Sequence, residues 1–386
     1  MLSILKKSFQ HRSLVDHSFT PLTRPVAAST LSTGSNRHLK EVLPRSQLFR
    51  SALSRLCILV LFSAANVLST GAEAIDKVRF GTDWRAQAEH GGFYQAVANG
   101  IYESYGIEVT IRQGGPQINH SQLLAAGRLD FSMAPNSFIP LNFAHGGIPI
   151  LSVAAIFQKD PAVLISHPNV GHERLEDLRG ERIMISPDTR IGFWRFLKQQ
   201  LHYTDDQIAP YTFNVAPFLS NPQSIQQGYL TSEPYLIMRT GIKPNVFLLA
   251  DAGYASYAAI IQTSQTLVDE NPLLVQRFVD ASIKGWHGFL YGDPTPANDL
   301  IQRANPDMSD DLLAYGREML LRHGIVDGGQ ANRDGIGAMT NNRWKTFFDV
   351  MVADELYPAN MNFRKAYDLR FIGKRVEMTT IERGSD

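Results

Sequence analysis

Short strand-like runs alternate with helix-like stretches through the middle of this 386-residue chain and then give way to helices alone, an order that restricts the fold more than any other feature. Lys77-Val78-Arg79-Phe80-Gly81-Thr82-Asp83 alternates as a strand, Phe93–Tyr102 has helical periodicity, and Ile107–Ile111 repeats with period two. A short helix at Leu123–Ala126, a strand at Phe131–Ala134 and a helix from about Ser137 follow. After Pro161 the rhythm restarts with strand Val163–Ile165, a helical turn at Leu175–Leu178 and strand Arg182–Ile185. Helix Phe193–Leu201, an extended segment Tyr211–Val215 and strand Val246–Leu249 complete that second unit. From Asn271-Pro272 onward the pattern is helical, with Asn271 placed as N-cap and further helices near 296–304, 309–323 and 340–355.

Strands alternating with helices specify an α/β fold with parallel or mixed sheets. The late helices have no sheet of their own, so the simplest packing returns them to the first unit. The expectation is a two-lobed protein with a hinge and a cleft. Its first lobe is built from 76–161 and 255–372, its second from 162–254, and 373–386 form a mobile tail. Ligands of α/β folds sit outside the carboxyl ends of strands, so a two-lobed arrangement points two such ends into one cleft.

The N-terminal 74 residues read differently. Arg50 and Arg55 precede the apolar run Leu56-Cys57-Ile58-Leu59-Val60-Leu61-Phe62, which continues to Leu68 and is followed by Gly71-Ala72-Glu73-Ala74. A basic stretch, a short apolar run and small residues at the end make a secretory signal peptide, with cleavage expected after Ala74. An organelle presequence would leave that run and site without a purpose. Residues 1–75 hold nine Lys/Arg against three Asp/Glu, so the remaining body carries −6. An acidic body gives no electrostatic reason to expect nucleic acid or a membrane surface. Cys57 is the single cysteine, so after cleavage the chain has no disulfide, thiolate metal site or cysteine nucleophile.

No nucleophile elbow, Walker loop, dinucleotide fingerprint or His-Glu-x-x-His motif is present. No cofactor, metal or catalytic residue is therefore assigned, and most of the candidate residues sit instead at strand ends. Asp83 and Trp84 end the first strand, and His90 and two glycines lead into a helix containing Tyr94. Such glycines allow a ligand near the helix amides, and the aromatics offer flat faces for a ring. The plain alternative makes Trp84 and Tyr94 core aromatics and His90 a helix-start residue. Asn136 and Ser137 follow the strand at 131–134 as N-cap residues or ligand contacts. Asp188, Arg190 and Trp194 sit where the strand at 182–185 runs into a helix; Arg190 is an anion partner or a solvated arginine. Tyr229 and Glu233 place a carboxylate among aromatics, able to accept hydrogen bonds from an amino edge, or left as a loop acid.

The stretch Asp83, Trp84, His90, Gly92, Tyr94, Ala96, followed by Gly100-Ile101-Tyr102 and Gly106-Ile107-Glu108-Val109, resembles the NMT1/THI5-like family. Likeness continues through Ala126–Phe131 and the Gly228…Glu233-Pro234 segment, covering most of 77–290. The resemblance implies a type II periplasmic-binding-protein fold and a small-molecule ligand delivered to ABC permease and ATPase subunits. It implies a thiamin pyrimidine precursor, with Trp84, His90 and Tyr94 lining the site and Glu233 reading the amino edge. Relatives bind sulfonates, taurine or nitrate, which stand as the alternative ligands; a pyrimidine-processing enzyme using His90 is a further one. Where pyrimidine-binding members often carry Pro-Asn, this chain has Ala86-Gln87, which leaves the ligand open. The cysteine-dependent eukaryotic enzyme branch is excluded by the missing cysteines.

Overall fold

The computed structural model describes residues 75–116 and 118–374; the expected signal segment, its expected cleavage point and residues 375–386 of the expected tail lie outside the described residues. Among the described residues, ten strands form two five-stranded sheets. The first contains β1 (Asp76–Gly81), β2 (Ile107–Arg112), β3 (Phe131–Ala134), β4 (Ile150–Phe157) and the late strand β10 (Ala258–Ser264), in the order β2-β1-β3-β10-β4. The second contains β5 (Ala162–Ser166), β6 (Ile183–Ile185), β7 (Ile208–Pro210), β8 (Ile225–Tyr229) and β9 (Asn245–Leu248), in the order β7-β6-β8-β5-β9. Each sheet is mixed: β2-β1-β3 and β7-β6-β8 run parallel, while β10 and β5 pair antiparallel with both of their neighbours.

Eight helices carry the rest of the argument: α1 (Gly91–Ala98), α2 (Phe138–Gly146), α3 (Phe193–Leu201), α4 (Glu233–Met238), α5 (Pro272–Tyr291), α6 (Thr295–Ala304), α7 (Asp310–Arg322) and α8 (Asn341–Ala353). Asn271 caps α5 by accepting the Leu274 amide at 3.1 Å. The long helix returns to the first sheet, where Phe278 stacks on Phe131 at 4.0 Å and meets Phe80 at 5.3 Å. On the same face Phe93 of α1 meets Phe80 at 4.7 Å and Trp286 of α5 at 5.8 Å. On other contacts Phe138 of α2 meets Phe347 of α8 at 5.0 Å.

Several elements differ from the sequence expectation. The helix expected over Phe93–Tyr102 breaks at Gly100, whose φ of 62° lies in the left-handed region that glycine adopts without a steric cost. The extended segment expected at Tyr211–Val215 sits earlier, as β7. Strands β4, β8 and β10 carry no clear alternation. Every residue of β4 is buried, so the polar-out, apolar-in signal that reveals a half-exposed strand is missing.

Two glycines expected to open a helix start to ligand serve packing instead. A Cβ on Gly92 would lie 2.2 Å from the Trp286 ring, and one on Gly91 would lie 2.2 Å from Phe289. From the other side, a Cβ on Gly285 of α5 would lie 2.3 Å from the Gly92 carbonyl oxygen. The two helices touch backbone to backbone. Gly92→Ala is expected to destabilise the fold by about 1–3 kcal/mol through overpacking, read as a lowered midpoint in urea denaturation.

Candidate functional site

The loop after β1 is tied down from three directions. Thr82 Oγ1 donates to the Trp84 carbonyl at 2.8 Å, and the Gly114 amide donates to the same oxygen at 2.9 Å. His120 Nδ1 meets the Thr82 carbonyl at 2.6 Å. Further along, the Ala86 amide donates to Gln113 Oε1 at 2.9 Å, and Asn305 Nδ2 donates to the Ala86 carbonyl at 2.8 Å. The loop then enters a turn of 3-10 helix, Ala88–His90, that leads directly into α1. This bracing fixes Asp83 against His90, with Nε2 and Oδ1 3.0 Å apart. His90 is almost wholly buried, and its Nδ1 has no partner among the described residues.

The second sheet supplies the opposing groups. The Glu233 carboxylate accepts the Tyr229 amide at 2.8 Å on one oxygen and the Tyr211 hydroxyl at 3.0 Å on the other. Gly228 makes room for it, since a Cβ there would come within 3.1 Å of the Glu233 Cβ. Tyr211 also packs on Phe213 at 5.1 Å, and Phe213 packs on Trp84 at the same separation. Trp84 follows β1 and Phe213 follows β7, so this aromatic contact joins the two sheets' loops. Phe213 has a φ of 57° and remains 43 % exposed. A bulky residue in the left-handed region costs about 1–2 kcal/mol. Such strain clusters at functional sites.

A second contact joins the same two sides: the Thr231 hydroxyl donates to the buried carboxylate of Glu89, in the 3-10 turn before α1. Burial pushes the Glu89 carboxyl up, against the opposing effects of Thr231 and His90. Burial likewise raises the Glu233 carboxyl, opposed by its two hydrogen bonds. Asp160 lies between β4 and β5 with one oxygen accepting the Ala162 amide at 3.0 Å. Burial pushes it up to about 7, with the Asp83 carboxylate adding to the rise. The Tyr229 hydroxyl is raised by burial and then by the charges of Asp160, Asp83 and Glu89. None of Asp83, Glu89, Asp160 and Glu233 pairs with a Lys or Arg among the described residues.

The structure therefore gathers Asp83, Trp84, His90, Tyr229 and Glu233 of the expected residues around one region. The others are placed differently. Tyr94 is buried in the core beside Phe93, where its hydroxyl is pushed up to about 12. Asn136 accepts the Phe138 amide at 3.1 Å, a helix-start role. Ser137 gives its amide to Ser256 Oγ and accepts the Tyr257 amide, both at 3.0 Å. Asp188 lies in a short 3-10 turn, Asp188–Ile191. Arg190 and Trp194 line a separate cavity of about 400 Å³ with Arg195, Lys198, Asp205, Ile208 and Asp354, and Trp194 Nε1 donates to Asp205 at 3.0 Å. Sequence reading passed over Glu89, Asp160, Tyr211 and Phe213. Only the extended segment at 211–215 signalled any of them, because nothing local marks a residue whose neighbour comes from another sheet.

Two five-stranded mixed sheets with helices returning to the first define the two-lobed α/β fold of periplasmic binding proteins. A Candida albicans protein described as having the generic periplasmic binding protein structural fold superposes with a TM-score of 0.54 at 13% identity, covering 76% of this chain and 96% of its own. The alkanesulfonate-binding protein SsuA from Xanthomonas axonopodis pv. citri, solved with MOPS bound, gives 0.56 at 14% identity over 77% of this chain and 100% of that one. The riboflavin-binding protein RibY of Chloroflexus aurantiacus is 24% identical over 288 residues, 72% of this chain and 81% of that protein. The NMT1/THI5 like family matches residues 87–297, more than half of the chain, and the chain belongs to that family.

Asp160 yields a pH test. Its folded value near 7 lies above the ordinary 3.8, so the fold favours the protonated form. The associated stability is complete at low pH and is lost as pH rises toward 7, by about 1.4 kcal/mol for each pH unit between the two values. Asp160→Asn keeps a neutral acceptor for the Ala162 amide and removes that loss. The variant is expected to gain on wild type from about pH 4 to about pH 7, and to keep that margin above pH 7, in urea denaturation.

Proposed function

We propose that this protein is the solute-binding component of an ABC importer and that it captures a small, flat, donor-bearing heteroaromatic solute. The observation carrying this reading is the pair Trp84–Phe213, drawn from both sheets and set beside carboxylates that have no Lys or Arg partner. Aromatic faces hold a ring, and carboxylates accept hydrogen bonds from amino groups. A sulfonate or nitrate would meet like charge in the same place. Within this class the solute is a thiamin pyrimidine precursor, hydroxymethyl- or formylamino-pyrimidine, with its amino edge on Glu233 and its ring against Trp84. The departure at Ala86 bears on this less than the sequence suggested, because Ala86 is wholly buried and its backbone is held by Gln113 and Asn305.

In this reading 76–161 and 255–372 form one lobe, 162–254 form the other, and the Glu89–Thr231 and Trp84–Phe213 contacts belong to the closed form that a permease and its ATPase would accept. Export by the N-terminal segment places that work in the periplasm. His90 is held by Asp83 and buried; we read it as a positioning residue and the protein as a binder and not an enzyme, in line with the binding proteins to which it is similar. The similarity to RibY supports one other ring system, the isoalloxazine of a flavin.

Calorimetry against hydroxymethyl aminopyrimidine, riboflavin and an alkanesulfonate separates these readings. The pyrimidine is expected to bind, and the sulfonate is not. Removing a charged hydrogen-bond partner costs about 1.5–3 kcal/mol, so Glu233→Ala is expected to weaken binding by about tenfold or more. Binding of riboflavin alone would keep the class and change the solute, whereas binding of the sulfonate alone would refute the donor-bearing ring.

A further inference from the structure

The chain passes between its two sheets twice, leaving β4 after Phe157 and returning from β9 to β10 at Ala258. Phe157 and Ala258 are also the last pair of the antiparallel ladder between β4 and β10. Beyond them the two connections diverge toward the second sheet, and their carbonyls no longer face one another as ladder partners. Arg343, near the start of α8, takes over at that point. Its Nη2 donates to the Gln158 carbonyl at 2.6 Å and to the Ser256 carbonyl at 3.0 Å, and its Nε donates to the Ala255 carbonyl at 3.1 Å.

This use of an arginine is unusual in its partners. No carboxylate pairs with Arg343 among the described residues, and its guanidinium carbon lies 3.9 Å from the centre of the Tyr257 ring. Tyr257 is itself fixed, accepting the Thr340 amide at 3.1 Å and donating to Gln330 at 2.6 Å. Ser256 is fixed in turn by the Ser137 amide at 3.0 Å. Ser137, expected from the sequence to face the ligand, thus belongs to this framework. Lys159 and Asp251 also link the connections at 2.8 Å, but both are substantially exposed, and an exposed pair contributes little. A planar guanidinium fork, by contrast, fixes the directions of every bond it makes.

We propose that Arg343 is a positioning residue for solute capture, clamping both inter-sheet connections on the first-sheet side and so setting the pivot about which the second lobe closes. The Gln158 and Lys159 amides also donate to the Ile325 carbonyl, at 2.6 and 3.3 Å, so in this scheme the bending falls on 160–161 and 250–254. Hinges are a few such residues that absorb the backbone change. Arg343 touches no solute in this scheme; it governs what fraction of the free protein sits near the binding-competent geometry, and apparent affinity falls in proportion to that fraction. The effect on affinity rests on the proposed solute-binding function, while the effect on hinge geometry does not.

The experiment places nitroxide labels at Glu181→Cys and Glu270→Cys in a Cys57→Ser background and measures the inter-label distance distribution with and without hydroxymethyl aminopyrimidine, alongside calorimetry. Arg343→Met is expected to broaden the distribution of the free protein and to weaken the pyrimidine about tenfold. Arg343→Lys, which keeps the charge over Tyr257 but loses the fork, is expected to fall between. A free-protein distribution and an affinity both unchanged in Arg343→Met would overturn the proposal. Should that variant not fold, Arg343→Lys carries the test on the same criteria. Should wild type bind no pyrimidine, the solute assignment fails by itself, and an unchanged free-protein distribution in the variant would still overturn the clamp.

Discussion

The contact between α1 and α5 is the constraint on which the site depends. Gly92 and Gly285 bring the two helix backbones together, and Trp286 and Phe289 occupy the space that side chains at Gly92 and Gly91 would need. Because α1 begins immediately after His90, its docking fixes the end of the loop that starts at Thr82. Gln113 and Asn305 hold the middle of that loop through Ala86. Helix α6 packs on α1 as well, so a segment more than two hundred residues downstream sets where Asp83, Trp84 and His90 stand. Burial of aromatic surface between α5 and the first sheet is what makes this arrangement rigid.

A rigid first sheet matters because the opposing groups come from a sheet whose covalent link to it is two passages of backbone. The carboxyls gathered there are costly to bury without a cation. They are tolerated because each accepts a hydrogen bond: Glu233 from Tyr211 and Tyr229, Glu89 from Thr231, Asp160 from Ala162 and Asp83 from His90. In the proposed reading, acceptors and aromatic faces favour a solute that carries donors and a ring, and carboxylates without an arginine or lysine partner among the described residues suit an oxyanion poorly.

The glycines illustrate how one residue type is misread without its neighbours. At Gly91-Gly92 the pattern of a flexible entry into a helix is present, yet the missing side chains admit Phe289 and Trp286 rather than a ligand. Arg190 and Trp194 show the same limit: a strand end running into a helix is present, but the side chains turn to Asp205 and its surroundings. Trp84, by contrast, meets Phe213 across the two sheets. Local pattern identifies the strand end. It does not give the direction of the side chain.

What the sequence determined by itself was the alternation of strand and helix, the N-cap at Asn271, the family motif from Asp83 to Ala96 and the turn in which Tyr229 and Glu233 bring a carboxylate among aromatics. These are legible because periodicity, capping and motif spacing are properties of neighbours along the chain. Tertiary structure decided the rest: that β10 returns to sit between β3 and β4, that Thr231 meets Glu89, that Phe213 meets Trp84, and that Arg343 donates to carbonyls of both connections. Each joins residues distant in sequence, and their electrostatics follow from burial and proximity, which only packing creates.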